Sequence, residues 1–117
     1  MKVQRKGTGE IYTPFNHFGM TTQVFFNPDN GSKKANVTLS TVKGGAGSVD
    51  EVHENSDQIL VVMTGEATVM SEGVLVDKLY EGDALLISAG DIHAVVNNSE
   101  EDCSYICITV PPLNKTH

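Results

Sequence analysis

Short apolar segments alternate with polar turns along most of the chain, and no stretch shows the spacing of an amphipathic helix. The segments are rich in β-branched and aromatic residues, which favour strands over helices. Clusters of Gly, Asn, Asp and Ser separate them at intervals of about ten residues, which is typical of antiparallel proteins with many hairpins. The pattern therefore predicts eight strands: Thr21–Phe26, Asn36–Val42, Gln58–Thr64, Glu66–Met70, Leu75–Tyr80, Ala84–Ser88, Ala94–Asn98 and Ser104–Val110.

Eight short strands in a chain of 117 residues fit one all-β domain, built either as a two-sheet sandwich or as a small barrel. We expect this single domain to span 1–117. Within it we expect an N-terminal segment at 1–20, the barrel at 21–110 and a tail at 111–117, because two prolines follow the last strand.

The predicted strand at Gln58–Thr64 is apolar at every position from Ile59 to Met63. A strand with one covered face alternates apolar and polar residues, so a continuous apolar run indicates that both faces are covered. The interior of a barrel covers one face, and a second sheet or a second subunit must cover the other. We therefore predict a homodimer; the alternative is a sandwich strand that leaves an apolar face exposed.

Acidic residues outnumber basic residues by 15 to 8, which gives a formal net charge of −7. This balance argues against nucleic acids and anionic membrane surfaces as partners, because both require a basic face. The chain has no apolar run of the ~20 residues that span a bilayer, and no apolar segment follows its basic N-terminus. We therefore expect a cytoplasmic protein in which Cys103 and Cys107, held apart by an extended strand, are free thiols.

Two stretches concentrate side chains that can bind a metal. Alternate residues of an extended chain share a face, so Glu51 and His53 point the same way. The short polar turn that follows brings Gln58 back beside them at the start of the next strand. In the second stretch, His93 opens a strand and shares its face with Asn97. A carboxylate, two imidazoles and an amide oxygen can together ligate a divalent cation.

The first stretch resembles the first motif of the cupin superfamily, which is commonly written G-x5-H-x-H-x3,4-E-x6-G. Glu51 stands where the motif has its first His, and Gln58 stands where it has Glu. The exchange keeps one carboxylate and one amide beside two histidines, a mixed set similar to that of the cupin-type phosphomannose isomerases. The spacing of the motif is kept by Gly45, Glu51, His53, Gln58 and Gly65.

The second stretch resembles the second cupin motif, G-x5-P-x-G-x2-H-x3-N, with Ser in place of Pro. The resemblance as a whole covers 44–98, and it implies a jelly-roll barrel, or double-stranded β-helix, of two antiparallel sheets. The residues that match the second motif are Gly82, Ser88, Gly90, His93 and Asn97.

The resemblance also implies a metal inside the barrel, held by Glu51, His53, Gln58 and His93. Mixed nitrogen and oxygen ligation suits Zn, Mn, Fe, Ni or Co. The implied function is a metal-dependent enzyme that acts on a small polar metabolite such as a sugar or an organic acid. Dioxygenases, isomerases and lyases all occur among similar proteins, so the reaction stays open and no catalytic residue is assigned.

Several alternatives remain at this stage. A second register would place His53, Asn55, Gln58 and His93 in the site and leave Glu51 on the surface. The same side chains could form a metal-free polar cluster, although burial of Glu51 without a cation would be costly. For function, the alternatives are a non-enzymatic small-molecule-binding module or sensor, and a metal-free structural dimer.

Other polar and aromatic residues have simpler interpretations. We expect His17 and His117 on the surface, and Asn97 in hydrogen bonds within the barrel. Asp57 could orient His53 through a hydrogen bond. Five aromatic residues of the N-terminal third either line the mouth of a cavity or pack in the core or an interface: Tyr12, Phe15, Phe18, Phe25 and Phe26.

Overall fold

The computed structural model describes residues 1–113, which form antiparallel strands joined by turns. In that range, the helical element is a short 3-10 turn at Pro28–Asn30. No helix among the described residues is long and apolar enough to cross a membrane. The strands are β1 (Ile11–Tyr12), β2 (His17–Phe26), β3 (Asn36–Ser48), β4 (Asp57–Thr64), β5 (Glu66–Ser71), β6 (Val74–Tyr80), β7 (Ala84–Ile87), β8 (Ala94–Val96) and β9 (Cys103–Val110).

All eight predicted strands are present, and the structure adds the two-residue strand β1. The largest differences from the prediction lie in β2 and β3. Strand β2 begins at His17, four residues before its predicted start. Strand β3 continues six residues beyond its predicted end to Ser48, through glycines that the sequence pattern interprets as a turn. Positive φ angles of 81° at Gly45 and 152° at Gly47 let the chain bend there while it stays in the sheet.

Strand β3 joins two groups of strands into one nine-stranded sheet that curls around an interior. Hydrogen-bonded strands follow the order β6-β5-β8-β3-β9-β4-β7, and β2 pairs with β3 and with β1. The first half of β3 pairs with β9, whereas Gly47 near its end pairs with Val96 of β8. A Cβ atom at Gly47 would meet the Val95 carbonyl oxygen at 2.5 Å, so glycine is required for this close approach. The result is a nearly closed antiparallel β-barrel, which confirms the predicted all-β fold class.

The inward-facing positions change from apolar to polar along three adjacent strands of the barrel. At one end, which we call the apolar end, Val42 and Val62 are each 1% exposed and belong to the main hydrophobic core. At the other end, which we call the polar end, Thr109 pairs with both Asn36 and Gln58, so these three residues lie at one level. The sequence alternation therefore builds a packed core at one end and a polar interior at the other.

Strand β4 buries its inner face and exposes its outer face. Leu60 is 3% exposed on the inner side, whereas Ile59 and Met63 on the outer side are 41% and 47% exposed. Leu86 of β7, which pairs with Ile59, is 61% exposed. Within residues 1–113, no second sheet covers this face, so its cover by a second subunit stays a prediction.

Candidate metal centre

The four predicted metal ligands, Glu51, His53, Gln58 and His93, line one cavity at the polar end of the barrel. His53 and His93 are buried, and the Glu51 side chain is 14% exposed. Glu51, His53 and His93 each offer a donor atom that lies within 4.8 Å of the other two. The fold thus brings together residues that are 42 positions apart in the chain.

Backbone hydrogen bonds hold the two ligand-bearing segments side by side. The Glu51 N–H donates to the His93 carbonyl at 2.8 Å, and the His93 N–H donates to the Glu51 carbonyl at 2.9 Å. We call this pair of bonds the Glu51–His93 bridge. The Gly90 N–H also donates to the His53 carbonyl at 2.9 Å. Because main-chain atoms make these contacts, the backbone positions of Glu51, His53 and His93 do not depend on which side chains they carry.

The ring of His93 is held in the orientation that a metal ligand needs. Its Nδ1 lies 2.9 Å from the carbonyl oxygen of Asp91, which can only accept a hydrogen bond. In the neutral ring the proton is therefore on Nδ1, and the lone pair of Nε2 is free for a cation. That Nε2 lies 3.9 Å from Oε1 of Glu51. Two imidazoles and a carboxylate suit a divalent transition metal, so the residues present fit such an ion.

The side chain of Gln58 is oriented by its neighbour on the next strand. Its Nε2 donates to Oγ1 of Thr109 at 3.1 Å. Because the amide nitrogen is engaged in this bond, Oε1 is the atom that Gln58 can offer to a cation. The hydrogen bond to the Thr109 hydroxyl therefore leaves the amide oxygen of Gln58, rather than its N–H groups, for other contacts in the cavity.

The loops around the site are also fixed by hydrogen bonds. Asn55 is an exposed turn residue outside the cavity lining, so the geometry brings Glu51 rather than Asn55 to the cavity. Oδ1 of Asp57 accepts a hydrogen bond from the Ala89 N–H at 2.8 Å, which ties the start of β4 to the loop before His93. The proposed contact of Asp57 with His53 stays a prediction.

Asn97 makes the hydrogen bonds within the barrel that the sequence predicts. It is 1% exposed, and its Nδ2 donates to the carbonyls of Val42 at 3.0 Å and Glu101 at 2.7 Å. Its Oδ1 accepts from the backbone N–H of Ser99 at 3.0 Å. These bonds tie the chain after β8 to β3, which is the strand that leads to Glu51.

The expected surface position of His17 is wrong. Its side chain is 10% exposed, it lines the same cavity, and its Nε2 lies 3.3 Å from Oε1 of Glu51. Strand β2 starts at His17, which pairs with Ser48 at the end of β3, three residues before Glu51. His117, the other histidine expected on the surface, lies outside the described residues.

A bulge in β2 explains why the alternation of the sequence hides His17. Met20 and Thr22 face the interior, so strict alternation would put Phe18 inside and His17 outside. The register shifts between Phe18 and Met20, and Gly19 in the bulge has a φ of 60°. Phe18 is consequently 51% exposed while His17 faces the cavity. A glycine inside an apolar strand segment is the one sequence signal for this bulge.

The environment of His17 changes its protonation equilibrium. Burial lowers the pKa of His17, but the hydrogen bond to Glu51 raises it, with further contributions from the Phe15 carbonyl and the Glu51 charge. The net effect in the metal-free chain is a pKa above the ordinary value for histidine. Glu51 is thus shared between two imidazoles, those of His17 and His93.

The aromatic residues of the N-terminal third have different positions. Tyr12 lines the cavity. Phe15 and Phe18 are 65% and 51% exposed, whereas Phe25 and Phe26 are half-buried. Of the five, Tyr12 is therefore the one that contributes to the cavity wall.

The model of one protein family matches this barrel. The model of the cupin domain covers residues 38–109, which include Glu51, His53, Gln58 and His93. The chain belongs to the cupin family. His17 lies before the matched range, so the family motifs alone do not include it.

Solved structures show the same fold at low sequence identity. KdgF from Halomonas sp. is 24% identical, with a TM-score of 0.71 over 82% of each chain. The polyketide cyclase RemF from Streptomyces resistomycificus is 16% identical, with a TM-score of 0.82 over all of this cupin and 86% of RemF. The cupin domain of an XRE family transcriptional regulator from Enterobacter cloacae is 20% identical, with a TM-score of 0.68 over 81% of this cupin and 99% of that domain. A comparison with curated protein sequences gives no match.

Proposed function

We propose that this cupin binds one divalent transition metal through Glu51, His53, Gln58 and His93 and acts as a metal-dependent enzyme on a small polar metabolite. The observation that carries the proposal is the convergence of donor atoms from Glu51, His53 and His93 within 4.8 Å in a cavity inside the barrel. The metal would be Zn, Mn, Fe, Ni or Co, which share a preference for mixed nitrogen and oxygen ligands.

The bound metal would supply Lewis-acid polarisation of a substrate oxygen. The residues of the chain would orient the substrate and limit its contact with water. Hydroxyl and amide groups form much of the polar part of the cavity wall, and no Lys or Arg occurs among the described lining residues. This favours a hydroxyl-rich molecule such as a sugar over an organic acid, because a carboxylate would have the metal as its cationic partner and no basic side chain beside it.

Metal analysis of the protein purified without a metal-binding tag tests the proposal. We expect about one equivalent of a transition metal in the wild type. The His53→Ala and His93→Ala variants should lose it, because each removes a nitrogen donor from the cluster. Asn55→Ala is the matched control and should retain the metal, since Asn55 is exposed. Less than about a tenth of an equivalent in the wild type would contradict the metal site.

We also propose that a second copy of the chain covers the outer face of β4 and β7. Ile59, Met63 and Leu86 are exposed there, next to the half-buried Ile106 and Ile108 of β9. Ile59→Lys combined with Leu86→Lys should convert a dimer into a monomer in light scattering, because it places charge in the apolar interface. Phe18→Lys, at an exposed apolar position on β2, is the control and should leave the dimer intact, because β2 pairs with neither β4 nor β7. A monomeric wild type at micromolar concentration would contradict the dimer.

A non-enzymatic sensor is the second candidate function. The supporting observation is the match to the cupin domain of the Enterobacter regulator, almost all of which is covered by this chain. A sensor would bind its ligand without turnover, and mass spectrometry of a ligand incubated with the metal-loaded protein would separate the two functions.

For either function, the cytoplasmic location and the absence of nucleic-acid and membrane partners are predictions from the sequence.

A further inference from the structure

We propose that His17 is an additional ligand of the metal, supplied by β2 from outside both cupin motifs. The inference rests on the proposed metal site and deepens it. It concerns the one histidine that the sequence pattern assigned to the surface and the fold places in the cavity. Its position before residue 38 also separates it from the part of the chain that the family model matches.

The distance between His17 and Glu51 suits two ligands of one ion. Metal–ligand bonds to histidine nitrogen and carboxylate oxygen are about 2.0–2.2 Å long, so neighbouring donors of a five-coordinate ion are separated by about 2.8–3.8 Å. Nε2 of His17 lies 3.3 Å from Oε1 of Glu51. The distance from Nε2 of His93 to the same oxygen is 3.9 Å. Oε1 of Glu51 therefore lies between two imidazole nitrogens. His17 is not among the donors that all lie within 4.8 Å of one another, so its ring would move towards His53 and His93 when the ion binds.

The hydrogen bond on the other side of the ring fixes what Nε2 of His17 can offer. Nδ1 lies 2.8 Å from the carbonyl oxygen of Phe15, which accepts and cannot donate. In the neutral ring the proton is thus on Nδ1, and the Nε2 lone pair points at a carboxylate oxygen. A proton on Nε2 can bridge the two groups through a hydrogen bond, and a metal ion bound by both groups would take the place of that proton.

The construction at His17 repeats the one at His93. In both residues, Nδ1 is bonded to the carbonyl of the residue two positions earlier, and Nε2 is directed to Oε1 of Glu51. A backbone carbonyl on the second ring nitrogen is the common support of metal-binding histidines. The two rings reach Glu51 from different elements, one at the start of β2 and one just before β8.

The backbone of β2 is arranged so that the His17 ring faces inward. The bulge at Gly19 reverses the alternation, and a Cβ atom at Gly19 would lie 2.5 Å from Cβ of Ala46. Asn16 has a φ of 62°, and its carbonyl accepts from the Val49 N–H at 3.2 Å. Two uncommon backbone conformations therefore flank the histidine and hold it beside the segment that leads to Glu51.

Titration of the metal-free protein with Co(II) tests the inference, because the visible absorption of Co(II) reports its ligands directly. We expect His17→Ala to weaken Co(II) binding by at least about 10-fold and to change the position or intensity of the absorption bands. His17→Gln, which keeps a polar side chain, is the second variant in case His17→Ala folds poorly, and it should give the same spectral change. Phe18→Ala is the matched control, since Phe18 is adjacent but 51% exposed, and it should bind as the wild type does.

The outcomes separate this inference from the proposed function. If the wild type binds no Co(II), the metal site itself is wrong. If the wild type binds Co(II) and His17→Ala binds it with the same affinity or the same absorption spectrum, the site stands and His17 is not a ligand. Weaker binding with an unchanged spectrum also overturns the inference, because His17 would then act only by orienting Glu51.

Discussion

The apolar end and the polar end of the barrel are built by the same strands and differ only in which side chains point inward. On β4 the inward positions run from Val62 through Leu60 to Gln58, and on β3 they run from Val42 to Asn36. The apolar end supplies most of the hydrophobic burial, whereas the polar end holds the groups that can bind a metal. The core and the cavity share Leu60, Ile87 and Val95, so the comparison teaches that hydrophobic burial and metal-binding groups are concentrated at different ends and meet in the middle of the barrel.

Introducing a charge at each end should give the largest contrast. Val62→Asp buries a carboxylate among apolar side chains and should destabilise the protein by about 4 kcal/mol or more. Thr38→Asp makes a comparable change at a cavity-lining position, where water can hydrate the carboxylate, and should cost about half as much or less. Urea unfolding of both variants checks the difference. Equal losses would mean that the polar end is packed as tightly as the apolar end.

Metal removal should act on the polar end alone. A metal present at 100 times its dissociation constant stabilises the folded state by about 2.7 kcal/mol. Chelation should therefore lower the thermal midpoint of the wild type. It should leave His53→Ala unchanged, because that variant lacks a ligand, whereas Asn55→Ala should respond as the wild type does. A wild type whose midpoint ignores the chelator would contradict the assignment of the polar end as a metal site.

The alkylation rates of the two cysteines, Cys103 towards the apolar end and Cys107 towards the polar end, give the comparison with the smallest effect on the fold. Burial raises the pKa of both thiols to about 11, from a usual value of 9.0. At pH 8 this lowers the thiolate fraction about 100-fold, and the rate of alkylation should then rise about tenfold per pH unit up to the raised pKa. Cys107 lines the cavity and should react before Cys103, which is 1% exposed. The measurement is the alkylation rate of each cysteine at pH 8 in native and in unfolded protein. Equal rates in the two states would contradict the raised pKa values.

The motif spacing predicts most of the site because it lies within two short local segments. Glu51 and His53 alternate on one extended segment, and His93 follows a tight turn, so local geometry alone sets their directions. Their meeting depends on the Glu51–His93 bridge, which links distant segments and is visible only through the resemblance to the family. The position of Gln58 in the site likewise depends on distant contacts, because its pairing with Thr109 joins β4 to β9.

The residues that the pattern misses are those next to glycines with positive φ. Gly47 continues β3 through what looks like a turn, and Gly19 reverses the face that His17 presents. Both effects depend on close approaches to Val95 and Ala46, which are partners far along the chain. Local propensity interprets a glycine as a break, and only the tertiary contacts decide whether it is a break, a bend or a bulge.

The Glu51–His93 bridge makes the side chain at position 51 exchangeable. Its position is set by two backbone hydrogen bonds, which any residue other than proline can make. A designer could therefore replace Glu51 with His, Asp or Gln and obtain a series of donor sets on one unchanged backbone. The same independence would let metal preference drift during evolution through single substitutions, without any need to rebuild the barrel around each new ion.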